Sequence, residues 1–186
     1  MIEKEYKVLI SEEQYQKIYE WGREWNVNSQ INFYYYDLNR KAVDEGLTIR
    51  VRSMAKGLFF QIKQTISKIG ALSETNEYQK SIVTVPYIIT KEQICAVSGI
   101  VFEDVYLDGW LYTERRCCRR FEGIEIALDK NIYCDTEDLE LEIEFIDERN
   151  VPYILSEIKK FGVDFSYSTA GKFTRYVSQR SKCNIR

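Results

Sequence analysis

Hydrophobic and polar residues alternate with a period of two along much of this chain. In Ile2-Glu3-Lys4-Glu5-Tyr6-Lys7-Val8-Leu9, one face of a strand carries Glu3, Glu5 and Lys7, and the other carries Ile2, Tyr6 and Val8 with Lys4. The pattern recurs where Arg50 and Arg52 alternate with Leu47, Ile49 and Val51, and where Glu140, Glu142 and Glu144 alternate with Leu139, Leu141, Ile143 and Phe145. Further strands are predicted over residues 31–38, 58–65, 73–85, 101–107, 110–119, 121–128 and 138–146. Residues 47–53 and 58–65 form a hairpin around Ala55-Lys56-Gly57, and 39–46 is a connection. Ser11-Glu12-Glu13-Gln14 and Thr90-Lys91-Glu92-Gln93 read as capped helix starts, the first helix running to Gly22. A third helix spans 151–161 and stops at Gly162.

Eight or nine strands joined mostly by short turns predict an α+β, mainly β fold: an antiparallel sheet closed into a barrel with helices outside. An isolated strand ordinarily turns its charged face to water and its apolar face to the core. Here the charged faces come in blocks, Arg-x-Arg, Glu-x-Glu-x-Glu and Glu-x-Glu-x-Lys, and like charges repel unless counter-ions neutralise them. A charged lumen, with the apolar face packed outward under helices, provides for that. Cations neutralise the acids and a polyanion neutralises the bases.

Composition narrows the chemistry. The 186 residues, 45% hydrophobic and 30% charged, suit one domain over 1–186, and no linker or repeat is visible. The net charge of −3 gives no bulk attraction to nucleic acid or to anionic lipid. No apolar run reaches the length of a membrane span, and no signal peptide precedes Glu3. Histidine is absent, which excludes a histidine-based triad and common zinc sites. A bound metal would be held by carboxylates, whose hard oxygens favour magnesium, manganese or calcium. Cys95, Cys117, Cys118, Cys134 and Cys183 are odd in number and lack zinc spacing, and they read as reduced thiols of a cytoplasmic protein.

Eight ordered segments then resemble the CYTH superfamily, the triphosphate tunnel metalloenzymes. They are Glu3-x-Glu5-x-Lys7, Tyr35-Tyr36-Asp37, Leu47-Thr48-Ile49-Arg50-Val51-Arg52, Phe60-Gln61-Ile62-Lys63, Thr113-Glu114-Arg115, Leu128-Asp129, Glu140-Leu141-Glu142-Ile143-Glu144 and Lys172. Leu128-Asp129-Lys130-Asn131-x-Tyr133 with Asp138-x-Glu140-Leu141-Glu142 further resembles the small single-domain CYTH proteins of Gram-positive bacteria. The family includes thiamine triphosphatases, tripolyphosphatases and class IV adenylate cyclases. The resemblance implies an eight-stranded antiparallel tunnel that holds a triphosphate.

It also implies residue roles. Glu3, Glu5, Asp129, Glu140, Glu142 and Glu144 would ligate Mg2+ or Mn2+. Lys7, Arg50, Arg52, Lys63, Arg115 and Lys172 would contact phosphate oxygens. Tyr35 would orient Lys7, making these two the catalytic pair. Metal-assisted attack of water on a terminal phosphorus is the implied reaction. The partner is a triphosphate-containing small molecule, with no nucleic acid and no membrane, and the protein is a monomer or homodimer. Two choices stay open. An inward acid is sought at Glu74 or Glu77, with Glu74 preferred, and the late cation is Lys172 or Arg175. Within Arg115-Arg116-x-x-Arg119-Arg120, alternation sends Arg115 and Arg119 to one face and the other two opposite. A class IV cyclase and a non-catalytic polyphosphate-binding module are the alternatives to hydrolysis.

Overall fold

A computed structural model describes residues 1–180. The strands are β1 (Ile2–Leu9), β2 (Asn26–Tyr36), β3 (Leu47–Met54), β4 (Gly57–Ile69), β5 (Leu72–Ile82), β6 (Ile88–Ile89), β7 (Val105–Cys118), β8 (Ile124–Tyr133) and β9 (Thr136–Phe145). The helices are α1 (Glu12–Gly22), α2 (Lys41–Asp44), α3 (Lys91–Ser98), α4 (Val151–Lys159) and α5 (Lys172–Gln179). The sheet order is β2-β3-β4-β5-β1-β9-β8-β7-β6, and pairing of β2 with β7 closes the first eight of these into an antiparallel barrel. The short β6 is an addition at the start of β7.

Register fixes the faces, because residues directly opposite in an antiparallel pair lie on the same side of the sheet. Glu3 faces Thr75, Glu5 faces Ser73 and Glu144, and Lys7 faces Glu142. Arg52 faces Asn32, Arg50 faces Gln61, and Asp129 faces Arg115 and Glu140. All of these point into the lumen. Their apolar neighbours point outward. Val8, Ile126, Leu128, Leu141 and Ile143 pack beneath α1 and α4, whose Tyr15, Ile18, Ile154 and Ile158 are buried against them. Ile49, Val51, Phe60 and Ile62 pack with Ile94 of α3 on the other side. Fully burying one such aliphatic side chain contributes about 1.5–3 kcal/mol.

The helices start where local chemistry directs. Ser11 with Gln14, and Thr90 with Gln93, each form a reciprocal capping box. Helix α5 is different, because it enters the barrel. Its Phe173 and Tyr176 join Tyr34, Leu111 and Tyr133 in a third apolar cluster that closes one end of the lumen. Gly109 makes room for it: a Cβ there would lie 2.1 Å from the Tyr176 hydroxyl oxygen.

Several predicted boundaries need correction. β2 begins at Asn26 rather than 31, because Asn26 to Gln30 pair with Cys117 to Thr113; this polar run lines a polar lumen, so it shows no apolar alternation. The strands expected over 101–107 and 110–119 are one strand, β7, with a register irregularity opposite Tyr34/Tyr35. β8 runs from Ile124 to Tyr133, beyond the expected 128. It turns into β9 through Cys134 and Asp135, whose φ values of 46° and 57° make a tight hairpin turn without glycine. The connection 39–46 contains α2, held by Asp37, whose carboxylate accepts from the backbone N–H groups of Asn39, Lys41 and Ala42.

The reduced-thiol expectation holds for Cys95, Cys117 and Cys118 and is corrected at Cys134, which is disulfide-bonded; an odd count with no recognisable spacing gave no pairing to read. Cys183 lies outside the described residues. Among the described residues, no helix is long and apolar enough to cross a membrane.

Candidate functional site

The lumen encloses a cavity of about 710 Å3 whose walls are chemically unlike. β1, β8 and β9 carry the acids. β2, β3, β4 and β5 carry Arg50, Arg52 and Lys63 among amide and hydroxyl side chains, with Glu77 as an acid on this side.

On the acidic wall the carboxylates form two triads, Glu3/Glu5/Glu144 and Asp129/Glu140/Glu142, and within each the oxygens lie within 4.8 Å of one another. The second triad is already neutralised. Lys172 reaches in from α5, with Nζ 2.8 Å from Asp129, 2.6 Å from Glu142 and in contact with Glu140. Arg175, one helical turn on, binds Asp138 at 2.9 Å and Glu140 at 2.6 Å. Both cations therefore meet the acidic wall, and both are buried. Arg115 lies 2.6 Å from Asp129 and 3.4 Å from Glu144, and also contacts Glu142. Burial alone would raise the Glu142 pKa, but Arg115, Lys172 and Lys7 outweigh it and hold the carboxyl well below its ordinary range.

The first triad is less well compensated. Glu3 contacts Lys63, and although burial opposes ionisation, that ammonium draws the Glu3 pKa down to about 2. Glu5 binds Lys7 at 2.5 Å, and Lys7 also lies 3.3 Å from Glu142. Burial would lower the Lys7 pKa, yet Glu142, Glu5 and Glu140 raise it well above the ordinary value. Glu144 is pushed up to about 7, by burial first and then by the charges of Glu142, Glu3 and Glu5, which Arg115 only partly offsets. An incompletely neutralised cluster of hard oxygen donors suits Mg2+ or Mn2+.

The basic wall shows the converse. Arg50 Nε donates to Gln61 Oε1 at 2.8 Å, and Arg52 Nε donates to Asn32 Oδ1 at 2.9 Å. These partners are neutral amides, and Gln61 in turn donates to Gln79 at 2.7 Å. Glu77 approaches Arg50 at 3.8 Å. Burial, followed by the charges of Arg50 and Arg115, pulls Arg52 down to about 9. A guanidinium keeps its proton in proteins, so this unfavourable energy acts as attraction for an anion.

Not every expected site residue reaches the lumen. Tyr35 does not: it packs with Ile49, Ile62 and Ile94 outside the barrel and donates to the Pro86 carbonyl at 2.6 Å. Tyr34 lines the cavity instead, because Asn32 faces the inward Arg52 and Tyr34 faces the inward Arg50. The preference for Glu74 is likewise corrected. Glu74 sits opposite Lys4 on the outer face and pairs with it at 3.4 Å, whereas Glu77 lines the cavity 4.0 Å from Lys63. Arg119 lines the mouth beside Glu125, and Arg116 is outside, bonded to Tyr15. Sequence reasoning also passed over Gln30, Asn32, Gln61 and Gln79. Asn32 and Gln61 alternate with apolar neighbours, Ile31 and Phe33 and then Phe60 and Ile62, which was a signal for an inward face; Gln30 and Gln79, in more polar runs, gave none.

The sequence of residues 1–177, which builds this lumen, matches the CYTH domain family model. The chain belongs to the CYTH domain family. No curated protein matches it in sequence. A Hippeastrum protein named as an adenylyl cyclase, whose description reports a dominant triphosphatase activity, superposes with a TM-score of 0.73 at 19% identity, covering 95% of each chain. A Bacillus halodurans protein named as an adenylate cyclase gives 0.69 at 20% identity, covering 92% of this chain and 95% of its own. The mimivirus capping enzyme triphosphatase gives 0.55 at 14% identity, covering 87% and 88%. At such identities these neighbours share the CYTH fold with this chain, and their chemistry remains their own.

Proposed function

We propose that this CYTH protein is a divalent-metal-dependent triphosphatase that hydrolyses inorganic tripolyphosphate or an organic triphosphate inside the barrel. The observation that carries this reading is the imbalance across the lumen. Arg50 is buried and Arg52 half-buried, each bonded to a neutral amide with only Glu77, 3.8 Å from Arg50, as a nearby acid, and they face a carboxylate triad that its lysines neutralise only in part. An anion on one wall and a cation on the other relieve both at once. The triphosphatase named among the structural neighbours agrees with it.

Glu3, Glu5 and Glu144 would hold Mg2+ or Mn2+, with Asp129, Glu140 and Glu142 as the second group of ligands. When bound, such a metal supplies charge neutralisation at phosphate oxygens and a more acidic water. Lys7, Lys63, Arg115 and Lys172 then exchange carboxylates for phosphoryl oxygens, joining Arg50 and Arg52. Lys7, next to both triads, is the cation best situated to hold the terminal phosphoryl group as water attacks phosphorus. The bridging P–O bond breaks and orthophosphate leaves, together with pyrophosphate when the substrate is tripolyphosphate or with the diphosphate ester when it is an organic triphosphate.

Incubation with tripolyphosphate, thiamine triphosphate and ATP, each under Mg2+ and Mn2+, tests this reading. Metal-dependent release of orthophosphate is expected. Cyclic AMP with pyrophosphate from ATP would replace the hydrolase reading with a cyclase, and tight binding without any product would replace it with a binding module.

A further inference from the structure

The inward face of β2 carries Gln30, Asn32 and Tyr34 at successive alternate positions, and their exposures are 5%, 0% and 0%. In each of the three a buried polar atom has no hydrogen-bond partner: Gln30 Nε2, Asn32 Nδ2 and the Tyr34 hydroxyl. Arg50 Nη2, on the neighbouring strand, makes no hydrogen bond either, with the Glu77 carboxylate 3.8 Å away. Native interiors rarely leave even one such group unsatisfied, since it loses its water and gains nothing. Here four lie side by side, because Tyr34 is opposite Arg50 and Asn32 is opposite Arg52.

The orientation of the Asn32 amide is fixed by its surroundings. Its Oδ1 accepts from Arg52 Nε at 2.9 Å, so the Nδ2 hydrogens face away from the guanidinium. Two of the orphaned atoms are amide nitrogens, one is a guanidinium nitrogen and one is a hydroxyl that can donate. Apart from Glu77, 3.8 Å from Arg50, this wall presents unpaired donors, and it selects a ligand rich in acceptors and poor in protons. The neutral amides also add hydrogen-bonding capacity without adding to the repulsion between Arg50 and Arg52.

We propose that β2 forms a second phosphoryl-binding wall, in which Gln30, Asn32 and Tyr34 donate to oxygens of the phosphate group held by Arg50 and Arg52. This rests on the triphosphate-binding reading above and extends its substrate contacts to uncharged residues. Gln30 and Asn32 act as binding residues of the anion and take no part in proton transfer.

Calorimetric titration with the non-hydrolysable imido analogue of tripolyphosphate, in Mg2+, tests the proposal beside thermal melts of the ligand-free protein. Gln30→Met and Tyr34→Phe remove donors that have no partner within the protein. Each is expected to weaken binding by about threefold to tenfold while leaving the Tm unchanged or higher. Asn32→Asp keeps an acceptor for Arg52 but sets a carboxylate against the ligand, and it should weaken binding at least as much. Wild-type affinity in both Gln30→Met and Tyr34→Phe would overturn the proposal, as would a loss of affinity that only tracks a fall in Tm. If the wild-type protein does not bind the analogue at all, the triphosphatase reading fails with it. Binding by the wild type with indifferent variants sinks this inference alone.

Discussion

The Lys172 ammonium lies 2.8 Å from the Asp129 carboxylate, inside a triad of acids at the heart of the barrel. A late lysine on a helix that would ordinarily face water thus serves as the counter-ion where a metal ligand set was expected. It also ties α5 to the wall that it closes.

Replacing this lysine uncovers three buried acids. Removing one partner of a buried ion pair costs about 3–5 kcal/mol. In a chain of this size the Tm of Lys172→Met should therefore fall by on the order of 10 °C without metal. Mn2+ should restore much of the loss by taking the place of the ammonium. A deficit that is the same with and without Mn2+ would show that these acids do not bind the ion.

Arg52 and Arg116 lie on opposite faces of the barrel wall. Arg52→Ala removes a charged donor, typically worth about 1.5–3 kcal/mol, so KM for tripolyphosphate should rise about tenfold or more. Arg116, 2.8 Å from Glu114 and bonded to Tyr15, should leave KM alone when changed to alanine. Steady-state kinetics of the two variants check this, and equal effects would refute the inward assignment of Arg52.

Tyr34 and Tyr35 make a second contrast. Tyr35→Phe loses the bond to the Pro86 carbonyl and should cost about 1 kcal/mol of stability with kcat unchanged. Tyr34→Phe should impair tripolyphosphate turnover with stability maintained. Urea melts and initial rates on both variants separate the roles; a Tyr35→Phe enzyme that is stable but slow would return Tyr35 to the site.

Glu144 sets a pH dependence. Its folded pKa of about 7 lies above the reference value of 4.5, so between these values the folded state holds more proton than the unfolded state. The stability contributed by this group is therefore full below about pH 4.5 and is lost as pH rises to about 7. Glu144→Gln cannot lose that proton. In the absence of metal its Tm should match the wild type near pH 4.5 and exceed it at pH 8, and Mn2+ should stabilise the wild type more. A Tm difference that does not change with pH would show that Glu144 is not perturbed.

The alternation of Glu3/Glu5/Lys7, Arg50/Arg52 and Glu140/Glu142/Glu144 was enough to imply a charged lumen under an apolar exterior, because side-chain direction in a strand is a local property. The order of the motifs was enough for the family. The absolute face of an ambiguous strand is not local. Tyr34 rather than Tyr35, and Glu77 rather than Glu74, point inward because Asn32 pairs with Arg52 and Glu3 pairs with Thr75, and such register is settled between strands distant in sequence. Sequence could count acids and bases, but it could not say which cations would be paired with carboxylates and which left to amides. That depends on α5 entering the barrel to bring Lys172 and Arg175 to the acids, while Arg50 and Arg52 hydrogen-bond to the amides of Gln61 and Asn32. Coulomb energy in a buried site depends on these distances, and only the closed barrel determines them.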